Sequence, residues 1–542
     1  MLRLPAITIF FVVSLLGQSN IYFSPSFDPE LARAGMETIS RTDLEAHLSF
    51  LASDITEGRA TGERGLAIAG EYIASQFRRL GLTPLVNNNS FFQRYELIKT
   101  KMGDENELAL LLDYGSSSIK ESFQYEEDFF VSPRGLSSNI EIQAPVVYAG
   151  YGISAKEYNY NDYAGISVEN CIVLILDGEP DLDNPNRFNG SLDTRYADLR
   201  EKLSQAKTNG ASAILIATNP KSEELFTDKL KRWKKWLHRE SMSLPSSEPN
   251  VPVLTISETT ADKILVSTGR TLRDLQIELE SEGKSNSRPI SNSYVRLNIN
   301  LNKESIVSNN IAGYFPGNDP FIGHETIVIS AHYDHVGKNA DGKIYYGADD
   351  NGSGTSALME IAEAITRNNH APKRGFLFLA VSGEERGLLG SKYYVKSPLV
   401  PLANTVADLN IDMIGRNASD SVYIIGSNMI SQDLHEINEY AANQIDNMFL
   451  NYRYNSKDDP ERYYYRSDHY NFAQFGIPII FYFAGIHDDY HKPTDTIEKI
   501  DFQKLEKVSR LVYLTGWSVA NNDTRPRKNA GVQPTLPDQI KY

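Results

Sequence analysis

The 542-residue chain has a single cysteine, Cys171. No internal disulfide can form, and a site built on several thiolates is excluded, so any metal must rest on His, Asp and Glu. Positive charge is also in deficit: 54 Lys and Arg against 70 Asp and Glu leave a net charge of −16. A nucleic acid or an anionic membrane surface is therefore a poor partner, whereas metal cations and cationic substrates are suitable ones. Internal repeats and low-complexity blocks are absent, and past the N-terminus no apolar run is long enough to span a bilayer. With 41% hydrophobic residues, 36 Gly and 24 Pro, the composition is that of globular protein, which excludes a disordered, collagenous or membrane-embedded chain. The length admits about two to four domains.

What is present begins with Arg3 followed by the apolar run Leu4–Leu16. The run is too short to cross a bilayer comfortably and reads as a signal peptide over 1–19, which predicts a secreted or periplasmic protein with no stable membrane insertion after its removal. Apolar residues at helical spacing between Arg41 and Gly81, interrupted by TEGRATGERG, predict two helices joined by a loop. Short β-rich runs, APVVYAG, CIVLIL, ASAILIA and VPVLTIS, mark a separate β-rich domain. Within CIVLIL, Cys171 reads as a small buried hydrophobe, and the basic, Trp-bearing run KLKRWKKWLHRE as a solvated helix. From Ile311 onward TIVISAH, SALMEIAEAI, GFLFLAVS, LLGSKYYV, VADLNIDMI and IPIIFYF alternate strand and helix, which predicts an α/β fold with a mixed, mostly parallel central sheet flanked by helices. The polar, Pro-containing stretch 523–542 reads as a flexible tail.

Five clusters of polar residues fall at or just after these apolar runs: AHYDHVG with His332, Asp334 and His335; GADDNGSG with Asp349 and Asp350; SGEERG with Glu384 and Glu385; NIDMIGR with Asp412; and YHKPTDT with His491 and Asp495. In open α/β sheets the crevice at the carboxyl ends of the strands is where ligands bind. Carboxylates and imidazoles converging there would crowd negative charge unless a cation neutralised it. Two His and three carboxylates suffice for two metals if one carboxylate bridges, and the Glu384–Glu385 pair offers one ligand and one general base.

In this order the motifs HxD, GADDNGSG, EE, NIDMIG and YHxxxDT resemble those of the co-catalytic zinc aminopeptidase family that also contains glutamate carboxypeptidase and the transferrin receptor ectodomain. The stretch YAGYGI and the run from Tyr160 to Pro180 resemble the protease-associated domain that many relatives carry as an insertion. The resemblance implies a zinc-exopeptidase sandwich, with its N-terminal part over 36–135, the inserted domain over 136–290 and the catalytic domain over 291–522. It implies two Zn²⁺ per chain: His332 and Asp412 on one, Glu385 and His491 on the other, Asp349 between them, with Glu384 as the catalytic base. Asp334 is then an acid that orients His332, and Asp350 follows the bridging residue at a cis peptide. Asp495 reads either as a partner of His491 or as the N-cap of the following helix.

Tyr463, Tyr464 and Tyr465 are candidates for a hydroxyl that donates to the oxyanion. Ser467, Asp468 and His469 are contiguous, which argues against a serine nucleophile. The expected activity is removal of N-terminal residues from peptides. A carboxypeptidase or dipeptidase would need a cation for the substrate carboxylate, for which Arg416, Arg462 and Arg466 are candidates. A one-zinc glutaminyl cyclase fits less well because both half-sites are retained, and a non-catalytic binding ectodomain would be expected to have lost ligands. The inserted domain is compatible with shaping substrate access, with mediating a homodimer or with binding another protein.

Overall fold

The computed structural model describes residues 28–532, apart from 88, 114–117, 134–135, 137–138, 181–183, 185–187, 189, 191–192, 246–250 and 458. The expected signal peptide thus lies outside the described residues. Two compact units emerge, one built from both ends of the chain, up to Gln93 and from Asn309, and the other from Arg94–Ser308.

In the first unit, helices α1 (Arg41–Leu51) and α2 (Arg64–Arg79) precede a sheet made from β1 (Leu301–Phe315, its later half), β2 (Thr326–His332), β3 (Gly375–Val381), β4 (Thr405–Ile411), β5 (Ser421–Ile425), β6 (Phe449–Asn451) and β7 (Ile479–Phe483). The strand order is β1-β3-β2-β4-β7-β5-β6. β3, β2, β4 and β7 run parallel, in register Ile329 to Phe378 and Leu409 to Ile480, while β1 and β5 join antiparallel. The sheet is therefore mixed and mostly parallel, as the apolar runs predict.

Every residue of β2, β3 and β4 is buried. Alternation divides them: Ile327, Ile329, Phe376 and Phe378 meet α1, α2 and the C-terminal helix on one face, while Val328, Leu377 and Leu379 meet Phe472, Phe481 and Phe483 on the other. A strand covered on both faces has no solvated side and so reads as a continuous apolar run. Helices α3 (Gly354–Arg367) and α4 (Phe502–Asn521) lie in the first of these layers, the latter begun by Asp501, which accepts from the amides of Gln503 and Lys504. From β2 the chain goes to β3 on one side and to β4 on the other, so the crevice between the carboxyl ends of β2 and β4 is the switch point of the sheet.

The second unit holds an eight-stranded sheet in the order 118–123, 107–113, 288–299, 140–148, 172–176, 213–217, 253–256, 129–131. The four β-rich runs are its adjacent parallel strands. The unit is wider than 136–290, because the hairpin 107–113/118–123 pairs with 288–299 and so belongs here and not with the peptidase-like part. Cys171 is only half-buried, since it precedes the strand and its thiol contacts the Glu169 carbonyl.

The described part of the expected tail is tied down. Arg527 holds the Asp433 carboxylate through Nε and Nη2 at 2.7 Å each, and the Asn529 amide donates to the Ile430 carbonyl at 2.8 Å. Its charged and amide side chains find fixed partners, a feature composition does not report. Residues 533–542 lie outside the described residues. Among the described residues no helix is long and apolar enough to cross a membrane.

Candidate metal centre

His332 closes β2, Asp412 follows β4, Glu384 and Glu385 follow β3, His491 lies in the loop after β7, and Asp349 and Asp350 lie in the loop that opens α3. That loop is fixed from three directions. The Asp495 carboxylate accepts from the Asp349 amide at 3.0 Å and the Asp350 amide at 3.1 Å. The Asn351 side chain donates to Ile411 O at 2.9 Å and accepts from the Met413 amide at 3.1 Å, tying the loop to the end of β4. Arg59, fully buried between α1 and α2, donates to the carbonyls of Tyr333 at 2.9 Å and of Tyr346 and Gly347 at 2.8 Å. A short turn in the N-terminal segment thus positions two loops of the crevice.

The side chains form two clusters that share Asp350. On one side His332 Nε2 lies 3.2 Å from Asp412 Oδ1 and 3.5 Å from Asp350 Oδ1. On the other, His491 Nε2 lies 3.0 Å from Glu385 Oε1 and 3.1 Å from Asp350 Oδ2, and His335 Nδ1 lies 3.0 Å and 3.6 Å from the same two oxygens. A carboxylate with one oxygen in each cluster is the arrangement a bridge between two cations requires. Asp349, expected in that place, faces the other way: Oδ1 accepts from the Gly415 amide at 2.6 Å and Oδ2 lies 3.3 Å from His487 Nε2. The cis peptide joins Asp350 to Asn351.

The charges are arranged for cations. Burial opposes a charge on His332 and His491, yet the facing carboxylates raise both, His491 to about 10. A field that favours a proton on two imidazoles also favours a bound cation, which would displace those protons. Buried Asp350 Oδ2 and His491 Nε2 make no hydrogen bond of acceptable geometry, so their lone pairs remain for a metal. Donor set, spacing and charge therefore fit divalent ions. Burial pushes the Glu384 carboxyl well up, helped by Glu385 and Asp412, while Glu385 is held well down, the hydrogen bond from His335 and the facing His491 imidazole together outweighing burial. The environment thus divides the neighbouring pair, raising Glu384 toward the range of a proton-transfer group and keeping Glu385 an anion able to ligate.

Residues 310–515 match the model of peptidase family M28, and residues 142–264 match that of the PA domain. The chain carries a peptidase M28 domain with an inserted PA domain. It is 30% identical over 224 residues to leupeptin-inactivating enzyme 1 of Streptomyces exfoliatus, covering 41% of this chain and 46% of that protein. Against aminopeptidase YwaD of Bacillus subtilis the identity is 28% over 216 residues, 38% of this chain and 44% of that protein. The matched stretch thus spans less than half of either relative. A solved aminopeptidase from Aneurinibacillus sp. strain AM-1 shares the fold, with a TM-score of 0.52 at 19% identity over 92% of this chain and 100% of that one.

Within the M28 domain, the Asp334 carboxylate is 3.8 Å from His332 Nδ1, too far to orient it. The Asp334 backbone carbonyl accepts from that nitrogen instead, at 3.2 Å, while the carboxylate accepts from the Glu384 amide at 3.1 Å and Thr61 Oγ1 at 2.9 Å. Asp495 neither pairs with His491 nor caps the following turn, whose N-cap is Thr496; it cradles the Asp349–Asp350 loop. Ser467 donates to Asp412 Oδ2 at 2.8 Å, so its hydroxyl orients a carboxylate. Tyr463 and Tyr464 are packed in the apolar layer, Tyr463 against Tyr454 and Phe483, and Tyr465 packs edge-on to Tyr470. Arg416 is engaged with Asp489 at 2.8 Å. Sequence reasoning missed Arg59 and Tyr490, whose ring stacks on His491 at 3.9 Å, and named His335 without giving it a role. Their signals were the EGRATG turn, the second His of AHYDH and the Tyr that precedes His491.

Proposed function

We propose that the chain is an exported aminopeptidase that hydrolyses the N-terminal peptide bond with two Zn²⁺ held by the shared-carboxylate site. The observation that carries the reading is Asp350, with one oxygen in each ligand cluster. His332 and Asp412 would hold one ion, Glu385 and His491 the other, and Asp350, in place of Asp349, would bridge them. Such ions supply a polarised carbonyl and an acidified water. Glu384 accepts the proton of the attacking water and returns it to the leaving amine, a transfer suited to a carboxyl raised by its surroundings. Asp334 fixes where Glu384 starts by accepting from its backbone amide. The names of the two curated relatives support peptides as substrates, and the apolar run after Arg3 supports export. A carboxypeptidase reading loses support because Arg416 is already engaged with Asp489.

The test is hydrolysis of free and N-acetylated aminoacyl-4-nitroanilides by mature protein, with zinc assayed on the same sample and Glu384→Gln as control. Turnover confined to free amines with about two zinc per chain supports the reading. Equal turnover of the acetylated series, or full activity in Glu384→Gln, overturns it.

A further inference from the structure

We propose that His335 is a fourth protein ligand of the ion held by Glu385, His491 and one oxygen of Asp350, which makes the two metal positions unequal. The inference rests on the two-metal reading above and adds a residue to it.

Four donor atoms converge here: His335 Nδ1, His491 Nε2, Glu385 Oε1 and Asp350 Oδ2, all within 4.8 Å of one another. Donors bound tetrahedrally to one zinc at about 2.0–2.1 Å stand about 3.3 Å apart. The separations across this group, 3.0 and 3.6 Å from His335 and 3.0 and 3.1 Å from His491, straddle that value. A hydrogen bond from His335 to Glu385 accounts for the first distance. It does not account for both imidazoles facing the same two carboxylate oxygens.

The ring is also built into place. His335 is fully buried, and its amide donates to Arg59 O at 3.0 Å. Gly347, at φ +58°, makes room for it, since a Cβ there would lie 2.5 Å from the ring's Cδ2.

The other position gathers only His332, Asp412 and Asp350, which leaves coordination open. Closed coordination suits retention of an ion, and open coordination suits chemistry. The His335 position therefore fills first and releases its ion last.

The experiment uses the full chain, stripped of metal, in Zn²⁺ titrations against a chromophoric chelator and in Co²⁺ spectra. Wild type is expected to load in two steps of unequal affinity. His335→Asn is expected to weaken the tighter step by more than the roughly 10–100-fold that loss of an outer partner costs, and to leave the weaker step in place. His335→Cys loaded with Co²⁺ is expected to show a thiolate-to-cobalt charge-transfer band absent from wild type, whose sole cysteine, Cys171, is in the other unit. Two-ion uptake by wild type with a tighter step less than about tenfold weaker in His335→Asn and no band in His335→Cys overturns the assignment and leaves the two-metal reading standing. Failure of wild type to bind any divalent ion overturns both. Should the variants not fold, zinc-loaded crystals of wild type decide, with Nδ1 at bonding distance supporting the assignment and Nδ1 beyond about 3 Å overturning it.

Discussion

Both units bury acidic side chains beside parallel strands, but they settle those charges differently. In the PA-bearing unit the most deeply buried acids have their own donors: Glu179 accepts from the Thr194 amide at 3.0 Å and from its hydroxyl, and Asp162 accepts from the amides of Tyr151 at 3.0 Å and Ile153 at 3.1 Å and from the Tyr160 hydroxyl at 2.7 Å. In the M28 unit Asp350, Glu384, Glu385 and Asp412 face one another and two imidazoles, and the buried cation nearby, Arg59, spends its donors on carbonyls. Burial of an acid is therefore a weak sign of function, and convergence of acids that lack donors is a strong one.

The comparison is broken most severely at the shared carboxylate. Asp350→Asn is expected to lose both ions and reduce activity to background, whereas Asp349→Asn should lose about 10–100-fold, as an outer partner does; metal analysis beside kcat/KM separates the two. Next, Glu384→Gln should lower kcat by about 10²–10⁴-fold with metal content unchanged. Zinc at about 1,000 times its Kd should stabilise the M28 unit by about 4 kcal/mol. Hydrogen exchange should show protection at 332–335, 347–354 and 384–385 and no change across the PA-bearing unit.

The smallest effect contrasts the pH responses of the two units. Burial raises Asp162 from 3.8 to about 6 in the folded state. Its contribution to stability is then fully present below about pH 3.8 and lost as pH rises through about 6, on the order of 3 kcal/mol in all. Denaturation monitored in that unit should show this slope between pH 4 and 6 and lose it in Asp162→Asn. Metal binding by the M28 unit should run the other way, weakening as pH falls, because its imidazoles must give up protons to bind.

The sheet was legible because TIVISAH and GFLFLAV are apolar at nearly every position, which only a strand covered on both faces can accommodate. The wider insertion was not, because ELALLLD carries no mark of which sheet edge it will join. The positions of His332, Glu385, Asp412 and His491 were legible from strand ends. Choosing between Asp349 and Asp350 was not, since adjacent carboxylates in a Gly-rich turn are distinguished only by backbone angles, here φ −103° and ψ 95° at Asp350. Arg59 acts on carbonyls 274–288 residues away and Asp495 on amides 145–146 residues away, and local pattern carries no trace of such partners.

Arg59 bears on how little of the chain can be spared. A polypeptide trimmed to the 310–515 match would keep every residue in the two ligand clusters. It would lose the guanidinium that satisfies the carbonyls of Tyr333, Tyr346 and Gly347 and the Thr61 hydroxyl that steadies Asp334. The M28 unit is in effect a clasp closed by two stretches of the chain, one before Arg94 and one from Asn309, and the insertion sits between them in sequence. During synthesis the site stays incomplete after Arg59 has emerged, waiting on the residues that follow the insertion.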